Sequence, residues 1–176
     1  MKLRKVIRDA REVLEKVDPI RPMYTTAIDF FKKMLGIGGV NVKLAYSTNK
    51  KFIGFIDLLK VLKGDNTIKV NKNASPEFIV KAIAHEITHI KQIHKNELNV
   101  TEGNAPAFIW KGKEIISYKG YNKLIKLAKV KEYRSLPWEK EAFDNEKNLP
   151  DKFFNSKEFK DLANVNPILK FVIDNI

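Results

Sequence analysis

The sequence predicts an α+β fold in which a small mixed sheet lies against one buried helix and a second helix closes over it. Three observations carry this. Residues 40–46 and 66–72 alternate apolar and polar side chains, and 52–59 is an apolar run, so 40–72 reads as strands. A helix opens after Ser75 and is apolar on almost every side. Another opens at Pro137. With 176 residues, 44% of them hydrophobic, the chain has enough apolar material for one ordinary core. It divides into an N-terminal helical arm (1–39), a central unit (40–148) and a C-terminal helical tail (149–176) packed on that unit.

Taken in order, Leu3, Val6, Ile7, Ala10, Val13, Leu14 and Val17 recur at steps of three and four, placing one apolar stripe on a basic helix that Asp18-Pro19 ends. A second helix is expected over 22–35, with Met23, Ala27, Phe30, Phe31 and Met34 inward. Gly36-Ile37-Gly38-Gly39 stops it. The alternation at 66–72 reads as a half-exposed or edge strand. Ser75 then offers an N-cap, Pro76 sits at the first helical position and Glu77 in the first turn. In the helix that follows, Lys81, Thr88, Gln92 and Lys95 form a single narrow polar stripe, so the helix should be central and mostly buried. Lys111-Gly112-Lys113 is flanked by two apolar runs and predicts a hairpin. The Pro137 helix is expected to reach about residue 147.

Composition narrows the chemistry. No apolar run approaches the roughly 18 residues of a membrane span, and the N-terminus leads into an amphipathic pattern, not a signal peptide. A soluble, cytoplasmic chain is expected. Without cysteine there are neither disulfides nor thiolate metal ligands. The net charge of +12 invites a nucleic-acid or acidic protein partner, but 28 of the 33 basic residues are Lys and only 5 are Arg, the better reader of bases and phosphates.

The informative string is His85-Glu86-Ile87-Thr88-His89, an HExxH sequence inside the buried helix. Residues four apart share a helix face, so both imidazoles can hold one metal ion. Glu86 then stands beside the metal, placed to take a proton from water activated there. Burying two His and a Glu in an apolar helix is costly unless something pairs them. His94 is nine residues after His85 and points about 180° away, so it cannot join them. A metzincin would need His and Gly where Lys95 and Gln92 stand. With no Cys and no later His, the third ligand must be a carboxylate, expected on a downstream helix. Glu139 and Glu141 are the alternatives, on different faces of the Pro137 helix. Glu139 shares its face with the small Ala142, which favours close approach to the metal helix.

His85-Glu86-Ile87-Thr88-His89 followed by Pro137-Trp138-Glu139-Lys140-Glu141-Ala142 resembles the gluzincin branch of the zincin metallopeptidases, especially small predicted peptidases of phages and bacteria. The resemblance spans roughly 40–147. It implies one zinc ion per chain held by His85, His89 and Glu139, Glu86 as general base, and a protein or peptide substrate. It departs from several gluzincins in having Phe143, not Asp, four residues after Glu139. It further implies that an edge strand before the metal helix aligns the substrate, for which 66–72 is the candidate. Tyr118, Tyr121 or Tyr133 could donate a hydrogen bond to an oxyanion. The alternative reading is a zinc-containing, basic, nucleic-acid-binding or virion-associated protein without proteolytic activity.

Overall fold

The computed structural model describes residues 18–48, 51–101, 103–126 and 130–173, and the helix expected over 3–17 lies outside them. The described elements are α1 (Arg21–Met34), β1 (Lys43–Ser47), β2 (Gly54–Phe55), α2 (Leu58–Leu62), β3 (Thr67–Asn71), α3 (Pro76–His94), β4 (Leu98–Val100), β5 (Ala107–Trp110), β6 (Lys113–Ser117), α4 (Tyr118–Lys126), α5 (Val130–Ser135), α6 (Pro137–Phe154), α7 (Lys157–Val165) and α8 (Pro167–Ile173).

Helix α3 runs through the middle because its apolar residues face several ways at once. Ile79, Val80, Ile83, Ala84, Ile87 and Ile90 are all essentially inaccessible to solvent. Pro76 starts it at a position where a missing N–H costs nothing. Ser75 occupies the N-cap, but its side chain makes no capping bond. At the other end, Asn96 adopts a left-handed φ of 55°. The Asn96 N–H bonds to Ile93 O at 3.0 Å and the Glu97 N–H to Gln92 O at 2.8 Å. This paired closure stops the helix and turns the chain into β4.

The expected single sheet is two three-stranded sheets, so the coarse α+β reading holds while the sheet arrangement differs. In the first, the order is β1-β3-β2, with β3 parallel to β1 and antiparallel to β2. The segment expected at an edge is therefore the central strand. Its alternation is real: Ile68 and Val70 are fully buried and Lys69 is exposed. Alternation reports which face meets solvent and carries no information about which strand is outermost. The apolar run at 52–59 is also not one strand. Asp57 caps a short helix, its carboxylate accepting from the N–H groups of Leu59 at 3.1 Å and Lys60 at 3.2 Å. The second sheet is antiparallel, and its β5–β6 hairpin turns through Lys111 at φ 49° and Gly112 at φ 83°, both left-handed as a type I′ turn requires.

Edge strand β2 lies directly on α3. A Cβ on Gly54 would stand 2.8 Å from the Cβ of Ala82, so only glycine permits this approach one turn before His85. Gly54→Ala is expected to displace β2 and lower any activity of the adjoining cleft, and Ala82→Gly in the same chain should restore it. A rate assay on both single variants and the double variant checks this. Additive losses would show that the contact is not the cause.

Helix α1 shares the core with α3: Met23, Tyr24, Ala27, Ile28 and Phe31 are buried. Met34, expected inward, is 47% exposed because α1 ends there. Phe30 and Phe31 meet Phe153 of α6, which in turn meets Phe159 of α7. Helix α6 passes its expected end at residue 147 and continues through Pro150 to Phe154, held by the buried Leu149, Pro150 and Phe153. Packing of that face outweighs the hydrogen bond that Pro150 cannot donate. No described helix is long and apolar enough to cross a membrane.

Candidate metal centre

Among the described elements, helices α3 and α6 make the most extensive contact. The fully buried Ala142 permits it by presenting only a methyl group at the seam. Two residues of the narrow polar stripe belong to this seam, since Thr88 and Gln92 are fully buried, whereas Lys95 is exposed. Across it, Glu139 in the first turn of α6 meets His85 and His89 on successive turns of α3. The Nε2 atoms of His85 and His89 are 3.2 Å apart, and Glu139 Oε2 lies 3.4 Å from the first and 3.5 Å from the second. Ligand atoms about 2.1 Å from a common tetrahedral ion stand roughly 3.4 Å from one another. The triangle therefore has the size a bound ion needs, and His85, His89 and Glu139 can hold a metal.

The hydrogen bonds around the triangle say which atoms carry protons. His85 Nδ1 faces Glu146 Oε2 at 3.0 Å, so Nδ1 donates to the carboxylate. Gln92 donates through Nε2 to the carbonyl of Trp138 at 2.9 Å and to Glu141 Oε2 at 3.1 Å. Its Oε1 must then accept, and His89 Nδ1 donates to it at 3.0 Å. With both Nδ1 atoms donating, both neutral rings turn an Nε2 lone pair inward. Glu139 Oε2, itself buried without a hydrogen-bond partner, completes a set of three acceptors with no donor. Such a convergence is costly unless a cation occupies it.

Protons are the other cation able to do so. Burial works against charging His85, yet Glu139 and Glu146 outweigh it and push His85 up to about 10. His89 is raised in the same way, burial being overcome by Glu139. Glu139 is buried, but the two imidazoles hold it well below the usual carboxylate range. The site is thus strongly selective for positive charge, as protons or as a metal ion that displaces them.

Glu86 is not one of the three converging groups. It lines, with His85 and His89, a cleft of about 690 Å³. Burial raises its pKa most strongly, while the two imidazoles and the backbone N–H of Ile56 pull it down. Of the three tyrosines, Tyr118 stacks on Phe108 away from the cleft. Tyr121 and Tyr133 line it. The Tyr121 hydroxyl reaches Glu139 Oε1 at 3.5 Å. Burial, followed by the charge of Glu139, raises the pKa of both phenols, so both stay protonated.

Glu141, the alternative ligand, points away from the triangle and is bonded to Lys91 Nζ at 2.7 Å and to Gln92. His94 stands apart beside Asn66. Asp144 has no part in the triangle. Sequence reasoning missed Gln92 and Glu146 as the partners of the two imidazoles. The available signal was spacing: Gln92 is three residues after His89, and Glu146 is two helical turns after Glu139. Such partners fix ring orientation and tautomer, and losing one commonly costs about 10–100-fold in metal affinity. Gln92→Leu and Glu146→Gln are each expected to weaken metal binding by that factor in competition titrations with a chelating dye. Unchanged affinity in both would show that neither orients a ligand.

No protein-family model, no curated protein and no solved structure matches the chain.

Proposed function

We propose that the protein is a zinc-dependent peptidase of the zincin type, with His85, His89 and Glu139 as metal ligands and Glu86 as general base. The observation that carries this reading is the donor-free triangle of two imidazole nitrogens and a carboxylate oxygen, with Glu86 beside it on the wall of an open cleft. Two nitrogens and one oxygen, with no thiolate, suit zinc. Three protein ligands leave a fourth position free, the pattern of catalytic sites and not of closed structural ones. Bound zinc would supply a Lewis acid for a peptide carbonyl and would lower the pKa of water towards about 7.

The remaining work falls to the chain itself. Glu86 takes a proton from the attacking water and later delivers it to the leaving amine. Burial raises its pKa from the ordinary carboxylate value, which makes it a stronger base for that proton. Tyr121 and Tyr133 are kept protonated by burial and face Glu139; a hydroxyl turned from that carboxylate would donate to an oxygen on which negative charge develops. The outer edge of β2 has no strand partner among the described residues, and an extended peptide can add to it by backbone pairing.

The test is hydrolysis of an unbiased peptide library by protein purified without chelator. Cleavage should stop with a zinc chelator and return with added zinc. Cleavage that persists in chelator, or zinc-loaded protein that cuts nothing in the library, would overturn the reading.

A further inference from the structure

Resting on that peptidase reading, we propose that Arg134 is a specificity-determining residue that receives a carboxylate of the substrate, so that the cleft selects peptides that are both acidic and apolar. Arg134 belongs to α5 and lines the same cleft as His85 and Glu86. Its guanidinium lies over the ring of Phe143, 4.4 Å from the centroid, and that ring packs edge-on against His85 with centroids 4.7 Å apart. The cation is therefore held one aromatic ring away from a metal ligand, with no hydrogen bond to its fork among the described residues.

Nothing described in the protein satisfies that charge. Among the described residues Arg134 has no ion pair, whereas Lys81, also on the cleft wall, is bonded to Glu77. Neither carboxylate of the cleft is paired with it: Glu86 is buried beside the imidazoles, and Glu146 accepts from His85 through Oε2. The choice of residue is also informative. In a chain with 28 Lys and 5 Arg, Arg134 is the one Arg beyond residue 21. A planar fork binds a carboxylate through two parallel hydrogen bonds, which lysine cannot do. Lys140 and Lys147 share a smaller hollow of about 270 Å³ with Arg134, where Asp144 and Glu146 offset two of the three positive charges.

The rest of the cleft specifies the other half of the substrate. Of the nine large hydrophobic residues exposed among the described ones, five line it: Phe52, Ile53, Phe78, Ile125 and Val130. Apolar side chains concentrated at one mouth indicate a surface that is covered in use. An extended peptide with bulky apolar residues next to its carboxylate covers both features at once.

The carboxylate can come from an internal Asp or Glu or from the peptide's C-terminus, and the experiment separates these. Labelled peptides share one apolar core and carry Glu, Gln or Lys at each flanking position, with the C-terminus free or amidated. Binding is read by anisotropy on zinc-loaded Glu86→Gln protein, and kcat/KM on the zinc-loaded wild type. The expected result is a preference of about tenfold for one carboxylate over its neutral counterpart, in line with a hydrogen bond to a charged group. Arg134→Glu should reverse the Glu-to-Lys preference, and Arg134→Lys should keep only part of it. A preference that tracks the internal Glu assigns the carboxylate to a side chain, and one lost on amidation assigns it to the C-terminus. Equal treatment of all peptides, or an Arg134→Glu variant that lowers every peptide by the same factor, overturns the inference while leaving the peptidase reading intact. Acid-selective binding without cleavage does the opposite. Peptides that neither bind nor are cut overturn both.

Discussion

Glu86→Gln is expected to keep one metal ion per chain while lowering peptide hydrolysis by about a thousandfold, within the range for loss of a positioned general base. The two halves of this result have different physical origins. Metal retention follows because the converging atoms come from His85, His89 and Glu139, none of which the substitution touches. Glutamine also has the shape of glutamate, and its amide oxygen can still face the Ile56 N–H that now opposes the carboxylate. The rate loss follows because an amide cannot take a proton at neutral pH. Metal analysis and kcat/KM on one preparation would decide it. A variant that still cleaves at more than a tenth of the wild-type rate would remove Glu86 from the chemistry.

Glu139→Ala is expected to abolish tight metal binding, with Glu141→Ala as the contrast that retains it. Glu139 is fully buried and supplies the one anionic atom of the triangle. Its removal leaves two imidazoles 3.2 Å apart facing a small void. Glu141 instead braces Lys91 and Gln92, so its loss loosens the support of His89 without removing a ligand. Ligand binding stabilises the folded state by about 3 kcal/mol at a hundredfold excess over Kd, which for a chain of this length raises Tm by roughly 5–10 °C. Wild-type protein and Glu141→Ala should show a zinc-dependent rise of this kind in scanning calorimetry. Glu139→Ala should show none. The reverse pattern would transfer the ligand role to Glu141.

How much of this was legible in the sequence depends on the range of the interaction. The α3 helix and its two histidines are set by local periodicity, and their spacing is visible in five consecutive residues. The side of α6 that meets them is also local, because Glu139 and Ala142 share a face. Strand order was not legible. The side chains of 66–72 show which of them are buried, but pairing with β1 and β2 depends on a crossover that no single strand records. The apolar run at 52–59 concealed a helix because the weight of Leu58, Leu59, Val61 and Leu62 outshone the one cap residue, Asp57. Gln92 was read only as part of a narrow polar stripe, because its partner, the Trp138 carbonyl, lies on a helix 46 residues further on. Glu146 was missed for the same reason: its partner His85 lies 61 residues away, and only the packing of α3 on α6 brings them together.

The proposed peptidase requires one metal ion among His85, His89 and Glu139, with a position left open toward the cleft. A crystal structure of zinc-loaded protein, with anomalous data collected on both sides of the zinc absorption edge, tests it most directly. The predicted result is a single strong peak about 2.0–2.2 Å from His85 Nε2, His89 Nε2 and a Glu139 oxygen, with no fourth protein ligand. Absence of that peak, or a peak held through Glu141 or Glu146, would contradict it.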